Sequence, residues 1–120
     1  MTMRPWNIRV KNKKTHTGDG VYVGRPTPLG NPFRIGLDGS RKEVIEKYRQ
    51  WLLKALDGDN PPTRMFANLF DEVSKTGELT LICWCAPREC HADIIKELLM
   101  EAWKQLNYEE EQRDGFCNRP

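Results

Sequence analysis

Long apolar runs are missing from this chain. None of its 120 residues belongs to a stretch that approaches a membrane span, and no signal peptide is visible at its start. The expectation is a cytoplasmic protein without membrane contact. Charge imbalance is missing too: 19 Lys and Arg against 17 Asp and Glu leave +2 at pH 7, too little to argue for nucleic acid by itself. There are no internal repeats and no low-complexity tract. No Gly-rich segment ends in the Lys-Ser/Thr pair of a phosphate-cradling P-loop.

What is present is an ordinary globular composition, with 38% hydrophobic and 30% charged residues. That length and composition are enough for one domain with its own core. Residues 1–106 read as a single α/β domain and residues 107–120 as a polar, mobile C-terminal tail carrying Glu109-Glu110-Glu111. Four cysteines in a cytoplasmic setting argue for thiol or metal chemistry before disulfides. Cys117 stands apart in the tail.

Ile8 and Val10 alternate with polar residues, which predicts a strand over about residues 6–11. The same segment is locally basic, with Arg4, Arg9, Lys11, Lys13 and Lys14 around Trp6, either a phosphate-contacting edge or a solvated strand. His16 follows in a glycine-bearing loop with no partner residue near it in sequence. Val21-Tyr22-Val23 reads as a second short strand and runs into Gly24-Arg25-Pro26-Thr27-Pro28-Leu29-Gly30-Asn31-Pro32-Phe33, where prolines and glycines exclude a helix or a central strand.

Ser40-Arg41-Lys42-Glu43 is a capping box, and a helix follows to about Leu56 with Val44, Ile45, Tyr48, Leu52 and Ala55 on one face. The run Asp57 to Pro62 stops it. A second helix runs from about Thr63 to Lys75, with Gly77 as a left-handed cap. Leu79 to Trp84 reads as a buried strand, and a last helix starts near Cys90 and reaches about Leu106. The order β-β-loop-α-α-β-loop-α predicts a small Rossmann-like sandwich, with a short, at least partly parallel sheet and about three helices. Ligands in such sheets bind at the carboxyl ends of the strands, where the Gly24–Phe33 loop and the Cys85–Cys90 turn would both open.

The chemistry concentrates in Cys83-Trp84-Cys85-Ala86-Pro87-Arg88-Glu89-Cys90-His91-Ala92-Asp93. Three readings stay open. Cys83, Cys85, Cys90 and His91 form a Cys3His set for zinc, although pairs separated by one residue and by none are tighter than structural zinc sites use. Cys90 at a helix N-terminus, with Arg88 and His91 close, is a candidate for a lowered thiol pKa. His91 would then be its acid/base partner, and Asp93 would cap the turn or orient the imidazole. The third reading is plain packing, with Cys83 a small buried hydrophobe.

The proline-glycine loop offers a second constellation. Gly24 and Gly30 allow positive φ and close approach to a ligand. Arg25 supplies a planar fork for a phosphate or carboxylate, and Asn31, held extended before Pro32, presents its amide. Arg41 adds charge from the first helix. The alternative is a rigid connection with Leu29 and Phe33 plugged into the core.

Val21 to Phe33, the helix with Tyr48 and Trp51-Leu52, and Cys83-Trp84-Cys85-Ala86-Pro87 with Cys90-His91-Ala92-Asp93 together resemble the domain-of-unknown-function family 4326, small proteins of bacteria and their phages. The likeness covers roughly Ile8 to Leu99. Where family members often carry glycine after the Cys-His pair, this chain has Ala92. The resemblance carries no established reaction. It implies that the Gly-Arg-Pro loop and the Cys/His turn belong to one constellation, in the cytoplasm of a bacterium or of a phage's host. The Cys-His ending is also similar to that of another uncharacterised family.

The expectation is a domain binding an anionic small molecule, a nucleotide or related phosphorylated metabolite, between Gly24, Arg25, Gly30, Asn31 and Arg41 and the Cys/His helix start, with Cys90, His91 and Asp93 as the catalytic set if thiol chemistry occurs there. Against it stands a non-enzymatic zinc-containing module acting on a host protein or nucleic acid. A protein-interaction domain that uses the basic strand or acidic tail is the third option.

Overall fold

Few and short strands leave little room for error in how a sheet is assembled, so each apolar position has to count. The computed structural model describes residues 5–86 and 88–117, with side chains of the last helix as far as Asn107. The elements are β1 (Asn7–Asn12), β2 (Val21–Tyr22), α1 (Arg41–Ala55), α2 (Pro61–Thr76), β3 (Glu78–Cys83) and α3 (His91–Cys117). The fold is α/β, as the alternation of strand and helix patterns implied. Its sheet is parallel throughout, with order β1-β3-β2.

β3 is the central strand, and Leu79, Leu81 and Cys83 are its buried positions, at the two-residue spacing of one strand face. Ile8 pairs in register with Leu79 and Val10 with Leu81 on one side, while Val21 pairs with Leu81 on the other. Both α2 and α3 pack on β3; α1 lies against α2 and α3. Tyr48, Leu52, Leu69, Val73, Ile95 and Leu99 close the core from the helices. Each large side chain buried this way contributes roughly 1.5–3 kcal/mol. Trp6 and Phe70 meet edge to face at 5.5 Å and fasten the entry to β1 onto α2.

The helix ends follow local chemistry. Ser40 Oγ accepts the Glu43 N–H at 3.2 Å, and the Glu43 carboxylate accepts the Ser40 N–H at 3.0 Å, completing the capping box. The start of α2 differs from the sequence reading. Pro61 and Pro62 open that helix instead of merely ending the one before it. Asn60 caps it by accepting the Thr63 N–H at 3.1 Å, and proline costs nothing where no amide is needed. Gly77 ends α2 at φ +77°, in the left-handed region expected of it.

The last helix is also longer than the hydrophobic pattern predicted. Its backbone continues past Leu106 to Cys117, through a run of three glutamates, one glutamine and an arginine with good intrinsic helix propensity, so residues 107–117 are helical. The side chains of Glu109-Glu110-Glu111 and of Cys117 lie outside the described residues, as do Arg4, Pro87 and residues 118–120. Among the described residues no helix is long and apolar enough to cross a membrane.

Because the strands are parallel, Asn12, Tyr22 and Cys83 all end at the same edge of the sheet. Three loops leave from that edge, and it is where an open parallel sheet receives a ligand.

Candidate functional site

The first wall is the loop after β2. The Val23 N–H bonds the Ile82 carbonyl at 3.0 Å, and the chain then folds back on itself. Thr27 donates to the Gly24 carbonyl from both its amide (2.9 Å) and its hydroxyl (2.6 Å), and the Gly30 N–H donates to the Thr27 carbonyl at 2.9 Å. The Arg25–Pro26 peptide is cis. Gly24 and Gly30 do not use positive φ, contrary to the sequence reading; the glycines that do are Gly18, Gly36, Gly39 and Gly77. What Gly24 and Gly30 supply is space. A Cβ on Gly30 would sit 2.9 Å from the Arg25 backbone, and one on Gly24 would sit 2.5 Å from the Tyr22 hydroxyl.

This loop is pinned at both ends by buried donors from different helices. Tyr48 of α1 donates its hydroxyl to the Leu29 carbonyl at 2.7 Å. His91 of α3 places Nε2 2.7 Å from the Val23 carbonyl. The two rings meet edge to face at 5.2 Å. A carbonyl can only accept, so His91 Nε2 carries the proton and Nδ1 is left as an acceptor. Burial, and after it the Arg25 charge, hold the His91 imidazole below its ordinary pKa of 6.5, against the raising pull of the Val23 bond. Burial also pushes the Tyr48 phenol far above its usual range and keeps it a donor.

The second wall is the turn after β3. Asn12, at the end of β1, donates its amide to the carbonyls of Trp84 (3.0 Å) and Ala86 (2.9 Å). The Arg88 N–H closes the turn onto the Cys85 carbonyl at 2.8 Å. Asp93 accepts the Cys90 N–H at 3.0 Å while its own N–H donates to the Cys90 carbonyl at 3.0 Å. Asp93 therefore fixes the helix start, and it is the Val23 carbonyl that orients His91.

The thiols divide differently from the sequence reading. The positive field of the helix start was expected to lower Cys90. Cys90 is instead raised, first by its bond to the Cys83 sulfur and then by burial. Cys83 is pulled below the ordinary thiol range, because it accepts from Cys90 and from the backbone amides of Ala86 and Cys85. The Cys90 proton has a second acceptor in His91 Nδ1, 3.3 Å from its sulfur. Cys90 is only 2% exposed. Of the three described cysteines, Cys85 is the one that is half-buried and accessible.

Between the walls lies an open cavity of ≈ 550 Å³. Cys85, Cys90 and His91 line its floor, and Gly24, Arg25 and Arg41 border it. Asn31 lines it too, but its amide is committed: Oδ1 accepts the Phe33 N–H at 2.9 Å and Nδ2 reaches the Val44 carbonyl at 3.4 Å. Gly30, Cys83 and Asp93 do not line it. The Arg41 guanidinium donates to the Glu89 carbonyl at 3.0 Å. The Arg25 and Arg34 guanidinium groups have no ion-pair or hydrogen-bond partner among the described residues, and the one carboxylate at the rim is Glu89.

Arg34 and the aromatics Tyr22, Phe33 and Trp84 also line the cavity, and sequence reasoning gave them no part in the site. Their positions, at the carboxyl ends of β2 and β3 and at the end of the proline-glycine loop, are the signal that could have found them.

The Cys3His set does not fit a metal as it is arranged. Both ring nitrogens of His91 are spent on protein partners, and among the described residues no group of three or more Cys, His, Asp or Glu side chains is placed to hold an ion.

A family model described as Domain of unknown function (DUF4326) matches residues 7–101. No curated protein and no solved structure was found to match the chain.

Proposed function

The chain belongs to the DUF4326 family, and from that premise we propose that the carboxyl-edge cavity binds an anionic small molecule, a nucleotide or related phosphorylated metabolite. The observation that carries this reading is the pair of guanidinium groups, Arg25 and Arg34, unpartnered among the described residues and facing a cavity that also holds Tyr22, Phe33 and Trp84. Planar guanidinium forks match phosphate oxygens, and aromatic rings accept the face of a base. Arg41 adds a third cation from the start of α1.

The reading is one of binding. Cys90, its proton held by two acceptors and the residue only 2% exposed, serves as part of the floor. Were thiol chemistry to run at this site, the Cys90 proton would pass to His91 Nδ1, with Asp93 holding the turn. The neutral imidazole is suited to accept it.

Calorimetric titration with AMP, ADP and inorganic phosphate tests the proposal. A charge-assisted hydrogen bond contributes about 1.5–3 kcal/mol, so Arg25→Ala and Arg34→Ala should each weaken nucleotide binding roughly tenfold or more, while Cys90→Ser leaves it within about twofold. Undiminished affinity in both arginine variants would overturn it.

A further inference from the structure

Next to the cavity just described is a second one of ≈ 400 Å³, reached across Trp84. Trp84, Cys85 and Arg41 border both, so the two are compartments of one groove along the sheet edge. Lys14 and Arg88 complete the cationic lining of the second compartment, and among the described residues no carboxylate borders it. Trp84 is 52% exposed, unusual for a residue type that normally hides most of its ring. It is held upright by a 3.0 Å bond from its Nε1–H to the Tyr22 hydroxyl, which itself donates to the Arg25 carbonyl at 2.7 Å. Lys13 places its ammonium 4.4 Å from the Tyr22 ring centroid and 5.7 Å from that of Trp84.

A mononucleotide uses one such compartment. Two basic compartments on either side of a fixed, exposed indole match a chain of phosphates with a base between them. We propose that the groove binds single-stranded nucleic acid, with one phosphate in the Arg25–Arg34–Arg41 compartment, the neighbouring phosphate at Lys14 and Arg88, and an intervening base stacked on Trp84. A base stacks on an indole whatever its identity, so the site is tolerant of sequence. A duplex hides its base faces and cannot use Trp84. The proposal rests on the reading of the first compartment as a phosphate site and extends it to a polymeric ligand.

The test compares fluorescein-labelled dT10 with dTMP on the whole chain, by anisotropy and calorimetry, with thermal melting as the check that each variant folds. dT10 should bind at least tenfold tighter than dTMP. The double variant Lys14→Ala/Arg88→Ala should weaken dT10 roughly tenfold, make its salt dependence shallower by about one to two phosphate contacts, and leave dTMP unchanged. Trp84→Ala should weaken dT10 by about tenfold. The inference is overturned if the double variant binds dT10 like the parent, or if a ten-base-pair duplex binds as tightly as dT10. Either result, with dTMP still dependent on Arg25, leaves the single-compartment reading standing. If dTMP is indifferent to both Arg25 and Arg34, that reading fails instead.

Discussion

Beneath the cavity Tyr48, His91 and Cys90 are buried, and every polar atom they bring there is spent on a partner inside the protein. At the rim, Arg25 and Arg34 are exposed and their guanidinium groups have no such partner among the described residues. The floor contains the residues that look chemical in a sequence, the histidine and the cysteines. The rim contains Arg25, which the sequence already marked as a ligand candidate, and Arg34, which looks like solvated surface. In this molecule the conspicuous floor groups hold the loop in place, and the rim guanidinium groups are left unpaired among the described residues.

Substitutions can break that contrast, beginning with the floor. Tyr48→Ala removes a buried ring and orphans the Leu29 carbonyl; it should cost about 3–5 kcal/mol in urea unfolding and abolish nucleotide binding with it. Tyr48→Phe, which removes only the hydroxyl, should cost about 1–3 kcal/mol. If both variants are as stable as the parent, the floor is not the scaffold described.

His91 sets a pH dependence. Its pKa is lower in the folded chain than its ordinary 6.5, so the unfolded chain takes up the proton first as the pH falls. The stability that depends on a neutral His91 is complete above about pH 7 and is lost on acidification below 6.5, by at most about 1.4 kcal/mol per pH unit, until the folded imidazole itself protonates. His91→Gln should flatten that slope in urea unfolding followed from pH 7.5 to 5.

Ser40→Ala tests the boundary between the two regions, since Arg41 rides on the turn that Ser40 caps. It should cost about 1 kcal/mol and weaken nucleotide binding only slightly. Smallest in stability is Arg34→Ala, expected within about 0.5 kcal/mol of the parent while binding falls. A rim variant that unfolds the protein, or a floor variant that spares it, would invert the comparison.

The same contrast explains what the sequence could reveal. Local signals survived folding: the Ser40–Glu43 box, Gly77 as a left-handed cap, and the alternation through Leu79, Leu81 and Cys83 all act within a few residues. So did the expectation that the Gly-Arg-Pro loop and the Cys/His turn face each other, because a parallel sheet sends both from one edge. What sequence could not show were matters of long-range placement. Nothing local says that Cys83 will accept a proton that Cys90 keeps, or that His91 will spend its Nε2 on a carbonyl 68 positions away. The Pro61-Pro62 pair was misread as a stop alone because proline both ends and begins helices, and the Asn60 cap is what decides. Arg34 was passed over because a surface arginine carries no mark until the cavity beside it is known.

The strand order β1-β3-β2 has a consequence for the time course of folding. The first two strands to be made never touch each other; both wait for the third, which begins at Glu78. Until the ribosome has delivered that strand there is no sheet. The Asn12 amide has no turn to hold and the Val23 carbonyl no imidazole to meet. Pairings this distant are slow to form, because the entropy of closing the loop is lost before any contact offsets it. The groove is therefore an all-or-none product of nearly the whole polypeptide, and a nascent chain stopped before β3 would hold its two earliest strands as unpaired, aggregation-prone edges.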